Sequence, residues 1–136
     1  MIKKTVTYTD YNDVERTEDF HFNLSKAELT EMEFEHKGGL TEMIKKIVDE
    51  SDNVKIMKLF KDIVLRSYGK KSEDGKRFIK DDALRAEFAQ TEAYSEIFME
   101  LAQDAGAATA FINGVVPKNL RGESAKNLNH AGPKTE

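Results

Sequence analysis

The chain has 136 residues, of which 39% are hydrophobic and 34% charged, with no cysteine, no tryptophan and a formal charge of −4. That length suits one domain whose core is drawn from Phe, Leu, Ile, Val and Met, and the lack of cysteine excludes disulfides and thiolate metal sites while fitting a reducing compartment. The negative balance gives no sequence-wide attraction to polyanions, so nucleic acid is not an expected partner.

Met1 to Thr5 is basic, but the residues that follow alternate instead of forming the apolar run of an export signal. No stretch approaches the roughly 20 apolar residues of a membrane span, and no membrane association is expected. Ile2, Lys4, Val6 and Tyr8 share one face of a period-two pattern, as do Phe20, Phe22 and Leu24 in the run from Val14 to Leu24. With Asp10, Tyr11, Asn12 and Asp13 between them, these runs predict a β-hairpin.

Ser25, Lys26, Ala27 and Glu28 match a capping box, in which the serine hydroxyl accepts the amide three residues on and the glutamate reaches back. The helix it opens carries Leu29 and Met32, with Ala27 and Phe34 beside them, and continues to His36 before the Gly38-Gly39 stop. Leu40, Met43, Ile44, Ile47 and Val48 predict a second short amphipathic helix, interrupted by Asp49 to Asp52. From Asn53 to Tyr68 the residues Val54, Met57, Leu59, Phe60, Ile63, Val64 and Tyr68 form a broad apolar stripe, with Gly69 placed as the helix C-cap.

Lys70 to Lys80 is a polar excursion, read as an exposed hairpin-like loop turning at Glu73-Asp74-Gly75. Asp81 or Asp82 caps a short helix with Leu84 and Phe88, and Thr91 caps another with Tyr94, Ile97, Phe98 and Leu101. Asp104 opens a last helix, Ala105 to Asn113, packed through Ala108, Phe111 and Ile112. Both prolines, Pro117 and Pro133, lie beyond Gly114 in a polar stretch that buries too little to offset its ordering entropy, so 117–136 is expected to be a flexible tail. The reading is α+β: a single domain over 1–116, with a hairpin at 1–24 and a mostly helical body at 25–116.

No catalytic constellation emerges. His21, His36 and His130 are too far apart to place two ligands on one face of an element, so no metal site is expected. No serine sits in a nucleophile-elbow pattern, and the 25 acidic residues fall mostly on solvent faces and helix starts. Gly69-Lys70-Lys71-Ser72 echoes the end of a phosphate loop, but position 64 is Val where that pattern needs Gly, and a helix precedes it where a strand should. No catalytic residue, cofactor or metal is expected, and an enzyme would need a site assembled from scattered carboxylates.

The charge layout is uneven. Lys70, Lys71, Lys76, Arg77 and Lys80 face only Glu73 and Asp74, whereas 81–104 holds seven acidic residues against Arg85. These are either solvated faces or complementary surfaces for a partner or a second copy of the chain. Phe88, Tyr94, Phe98 and Met99 suit core packing and, where exposed, a patch for a partner's apolar segment; they are the candidate partner-binding residues.

At Tyr68 to Lys80, again at Thr91-Glu92-Ala93-Tyr94, and at Ala110-Phe111-Ile112-Asn113-Gly114-Val115-Val116-Pro117, the chain resembles a tail assembly chaperone of long-tailed, siphovirus-like bacteriophages. The resemblance spans roughly Phe22 to Pro117. It implies a non-enzymatic protein of the infected host's cytoplasm, absent from the mature virion, that binds the tape measure protein and the tail tube protein during tail morphogenesis. It also implies a longer product made by programmed frameshifting, for which Lys118-Asn119 and Lys126-Asn127 are positions where A-rich codons would form a slippery heptamer. The alternative is a structural virion component, a small tail or head-tail connector protein, against which stands the confinement of expected strands to the first 24 residues.

Overall fold

A computed structural model describes residues 1–35, 42, 45 and 53–117, with 53–56 described by backbone alone. The strands are β1 (Ile2–Thr9), β2 (Glu15–Phe22), β3 (Tyr68–Lys71) and β4 (Phe78–Ile79). Among the described residues, the helices with defined bounds are α1 (Lys26–Glu35), α2 (Asn53–Ser67), α3 (Asp82–Ala89), α4 (Glu92–Gln103) and α5 (Ala105–Val115). The strands form one antiparallel sheet in the order β1-β2-β3-β4, with α4 and α5 packed against β1.

The N-terminal hairpin forms as its alternation predicts, with Ile2 opposite Phe22 and Thr9 opposite Glu15. Its turn closes without an Asn-Gly pair because Asp10 supplies the missing chemistry. The Asp10 carboxylate accepts the amides of Asn12 at 2.8 Å and Val14 at 3.0 Å and pairs with Arg16, while Asp13 takes a left-handed backbone at φ 61°. The Asp10 amide donates to the Val14 carbonyl at 2.9 Å, which fixes the phase of the ladder. Even-numbered residues of β1 exchange hydrogen bonds with β2, and odd-numbered ones direct their backbone groups away from it.

The second half of the sheet departs from the sequence reading. Strands are not confined to the first 24 residues, and Tyr68 and Gly69 do not end a helix: they begin β3, with Gly69 opposite His21 and Tyr68 opposite Phe22. Helix α2 passes directly into this strand, where the Asn23 amide donates to the Ser67 carbonyl at 2.8 Å. Gly69 is required by close approach. A Cβ there would sit 2.7 Å from the Phe78 ring and 2.8 Å from the Ile79 carbonyl oxygen. The expected turn is present, with the Asp74 carboxylate accepting the Ser72 hydroxyl and the Lys76 amide and Gly75 at φ 75°.

Helix α1 is capped as its sequence demands, the Ser25 amide donating to Glu28 Oε1 at 2.8 Å and the Glu28 amide to Ser25 Oγ at 3.1 Å. Met32 is buried, but Phe34, expected beside the apolar face, is 88% exposed. At about 100° per residue, Phe34 stands roughly 200° around the helix from Met32 and points the opposite way. Asp81, Thr91 and Asp104 cap α3, α4 and α5 as expected, and α5 runs two residues past the expected Asn113. The amphipathic helix expected at 40–48, apart from Glu42 and Lys45, and the tail from 118 onward lie outside the described residues.

The core gathers where the sheet meets the helices. Phe22 is fully buried and touches Tyr68, Phe88 and Phe111 at ring separations of 5.2 to 5.9 Å. Burial of a side chain this size contributes about 1.5–3 kcal/mol. Gly114 lets α5 close on β1, because a Cβ at that position would collide with the Ile2 side chain.

Candidate functional site

Three of the four candidate partner-binding residues lie on α4, and the four differ in burial. Phe88, on α3, is buried: its ring stacks on Tyr68 at 4.1 Å and 12° and packs beside Phe20 at 5.4 Å. Tyr94 meets Phe88 edge-on at 5.5 Å, and Phe98 lies 5.9 Å beyond Tyr94. Both are half-buried against the core. Met99 is 48% exposed. The four residues therefore form a graded series from the interior to the surface, with Phe88 as a core residue and Met99 as the apolar tip.

Helix geometry explains the gradient. Tyr94 and Phe98 are four residues apart and share the seam beside the buried Ile97 and Leu101, whereas Met99 falls on the outward face with Glu96, Glu100 and Gln103. Burial raises the Tyr94 phenol above its ordinary pKa, consistent with a ring set into the core margin. Two ends of the N-terminal hairpin hold this helix in place: the Tyr11 hydroxyl donates to Glu92 at 2.8 Å and Lys4 pairs with Glu100 at 3.0 Å. The acidic rim around Met99 is thus partly engaged, while Glu96 has no ion pair among the described residues.

The opposite charge collects on the β3–β4 hairpin. Lys70, Lys71, Lys76 and Arg77 are exposed and form no ion pair among the described residues. Lys80, at the end of β4, behaves differently: its ammonium donates to Glu28 at 2.7 Å and to the Asn23 carbonyl at 2.7 Å. Burial lowers the Lys80 pKa despite the carboxylate beside it. For Glu28, burial acts upward, but the Lys80 ammonium and the Ser25 amide outweigh it and hold the carboxyl below its ordinary value. His21 is half-buried, and burial together with Lys71 lowers its pKa.

A cavity of about 90 Å³ lies between α1 and the helices beneath it, lined by Leu24, Glu28, Glu31, Met32, Arg66 and Arg85. Arg66 spends one nitrogen on both oxygens of Glu35, at 2.7 and 2.9 Å, tying the end of α1 to α2. Arg85 donates to the Leu65 carbonyl at 3.0 Å. Arg85 and one nitrogen of Arg66 join elements, while Arg66 Nη1 is buried without a hydrogen-bond partner among the described residues, and the space between them is far below the roughly 300 Å³ of a small-molecule site. Among the described residues no group of three His, Asp or Glu is placed to hold a metal, and no helix is long and apolar enough to cross a membrane.

Sequence reasoning missed Phe34 and Met57, exposed by 88% and 49%. A helical projection of 26–35 places Phe34 away from Met32 and is the signal that finds it. No curated protein and no solved structure matches the chain. The family described as phage tail assembly chaperone matches it from residue 1 to residue 136, and the chain belongs to that family.

Proposed function

We propose that this chaperone binds the tape measure protein and the tail tube protein in the cytoplasm of the infected bacterium, without catalysis, and leaves before the virion is complete. The observation that carries this reading is the family match over the whole chain. The α4 surface supplies its physical content. Met99, flanked by half-buried Tyr94 and Phe98, offers an adaptable apolar contact to a client helix, and Glu96 and Glu100 surround it with charge that favours release and selectivity. Phe88 supports this surface from the core.

The test is co-purification of the chain with separately expressed tape measure and tail tube proteins. Met99→Asp should reduce client capture at least tenfold while leaving the circular dichroism spectrum unchanged, since the side chain is half exposed. Recovery of the chain at stoichiometric levels from purified virions would instead establish the alternative of a structural virion component, which the four-stranded sheet makes geometrically reasonable. A longer frameshifted product belongs to the same proposal. Gene codons without a slippery heptamer at both Lys118-Asn119 and Lys126-Asn127 would remove it for those sites.

A further inference from the structure

The sheet has an outer face, turned away from α3, α4 and α5. Residues opposite each other in antiparallel strands, and residues two apart in one strand, point the same way, which puts Lys3, His21, Gly69, Lys71 and Phe78 together on that face. The residues beside them turn inward: Lys4 reaches Glu100 on α4, Ile2 meets Gly114 on α5, and the rings of Phe20, Phe22 and Tyr68 meet Phe88 or Phe111. Lys3 and Lys71 are exposed and form no ion pair among the described residues. Phe78 is half-buried yet lies outside the hydrophobic core. A Cβ on Gly69 would stand 2.7 Å from its ring, so the ring lies over the glycine as a fixed apolar platform beside Lys71. His21 feels both cations: burial lowers its pKa first, then Lys71, with Lys3 acting the same way and Asp19 against them. The Asp19 carboxylate, on this face too, accepts the Thr5 hydroxyl at 2.6 Å.

We propose that this outer face docks a short acidic segment of a partner protein, one that carries an apolar side chain between its carboxylates. The complementarity is of charge and of shape. Lys3 and Lys71 offer two ammonium groups, and Phe78 offers a ring on which an apolar side chain rests. With strands about 4.8 Å apart, the row from Lys3 on β1 to Phe78 on β4 measures roughly 14 Å, the length of about five extended residues. The exposed Lys70, Lys76 and Arg77 of the β3–β4 hairpin outnumber Glu73 and Asp74 and extend the positive field beyond the face itself. A nucleic-acid strand fits this surface poorly, because its evenly spaced phosphates would meet Asp19 on the same face and a chain of net charge −4. A peptide carries its carboxylates only where the lysines stand. Since α4 packs on the inner side of the sheet, this basic surface and the acidic surface around Met99 can be occupied together.

The inference goes beyond the α4 reading and is tested without tape measure or tail tube protein. The probe is a fluorescein-labelled synthetic peptide, Glu-Glu-Leu-Glu-Glu, followed by fluorescence anisotropy against the full chain. It should bind at low salt and weaken as salt rises, whereas Lys-Lys-Leu-Lys-Lys should not bind this face. Lys3→Glu with Lys71→Glu should weaken binding of the acidic peptide about tenfold or more with an unchanged circular dichroism spectrum, since both side chains are exposed. Should that variant fail to fold, Lys71→Gln decides by a severalfold loss. Met99→Asp should bind the acidic peptide as the wild type does, which keeps a failure here distinct from a failure of the α4 surface. In a nuclear magnetic resonance titration the bound peptide should raise the His21 pKa, because nearby carboxylates favour the imidazolium. The proposal is overturned by an acidic peptide that does not bind at low salt, by a folded double variant that binds it as well as the wild type, by a His21 pKa that does not move, or by tighter binding of a short single-stranded oligonucleotide of matched charge.

Discussion

The two hairpins of the sheet are built from the same kind of turn and differ in nearly everything else. In both turns an aspartate accepts the amide two residues on, Asp10 from Asn12 and Asp74 from Lys76. The N-terminal hairpin has eight residues in each strand and announces itself by alternation, whereas β3 and β4 have four and two residues and almost no pattern. What makes Tyr68 to Lys71 a strand is the neighbour it meets: Phe22 and His21 across the sheet, with Asn23 bonded to Ser67 at the join. The first hairpin is specified locally and the second by its context.

The largest loss of stability is expected at Phe22, where the two hairpins meet. Phe22 pairs with Ile2 on one side and Tyr68 on the other, and its side chain is fully buried. Phe22→Ala should cost about 3–5 kcal/mol in urea unfolding and loosen both hairpins together. Gly69→Ala should act on the second hairpin first. The new methyl would meet a backbone oxygen as well as the Phe78 ring, so a loss of about 1–3 kcal/mol is expected, with hydrogen exchange rising in β3 and β4 before β1.

The short hairpin is fastened to α1 through Lys80 and Glu28, where a smaller loss is expected. Glu28→Ala removes both the reciprocal half of the α1 cap and the ion pair that holds Lys80, and should cost about 1–2 kcal/mol. The pH dependence follows in sign. The folded carboxyl titrates below its ordinary value, so its contribution is complete above the ordinary carboxylate range and disappears as pH falls through the depressed folded value. Urea midpoints measured down an acid series should therefore fall less steeply in Glu28→Gln than in the wild type.

Much of this fold was legible in the sequence where the signal was local. The Ser25–Glu28 box, the caps at Asp81, Thr91 and Asp104, and the alternation of β1 each rest on neighbouring residues. Gly69 was misread because a glycine after an apolar stripe looks like a helix stop, while its reason is the ring of Phe78 nine residues on. Of the candidate surface, the residue types were readable and their depth was not. Phe88 and Met99 are both large and apolar, and only the packing of α3 against Tyr68 buries the one and leaves the other outside.

The aromatic series from Tyr68 through Phe88 and Tyr94 to Phe98 also has an optical consequence. With no tryptophan in the chain, its four tyrosines are the intrinsic fluorophores. Tyr8 and Tyr11 donate hydroxyl hydrogen bonds to Glu18 and Glu92, while Tyr94 stands next to the surface proposed above for client binding. Ultraviolet emission from the unlabelled protein can therefore report occupancy beside Phe98, and replacing Tyr94 with Phe isolates that signal from the other three.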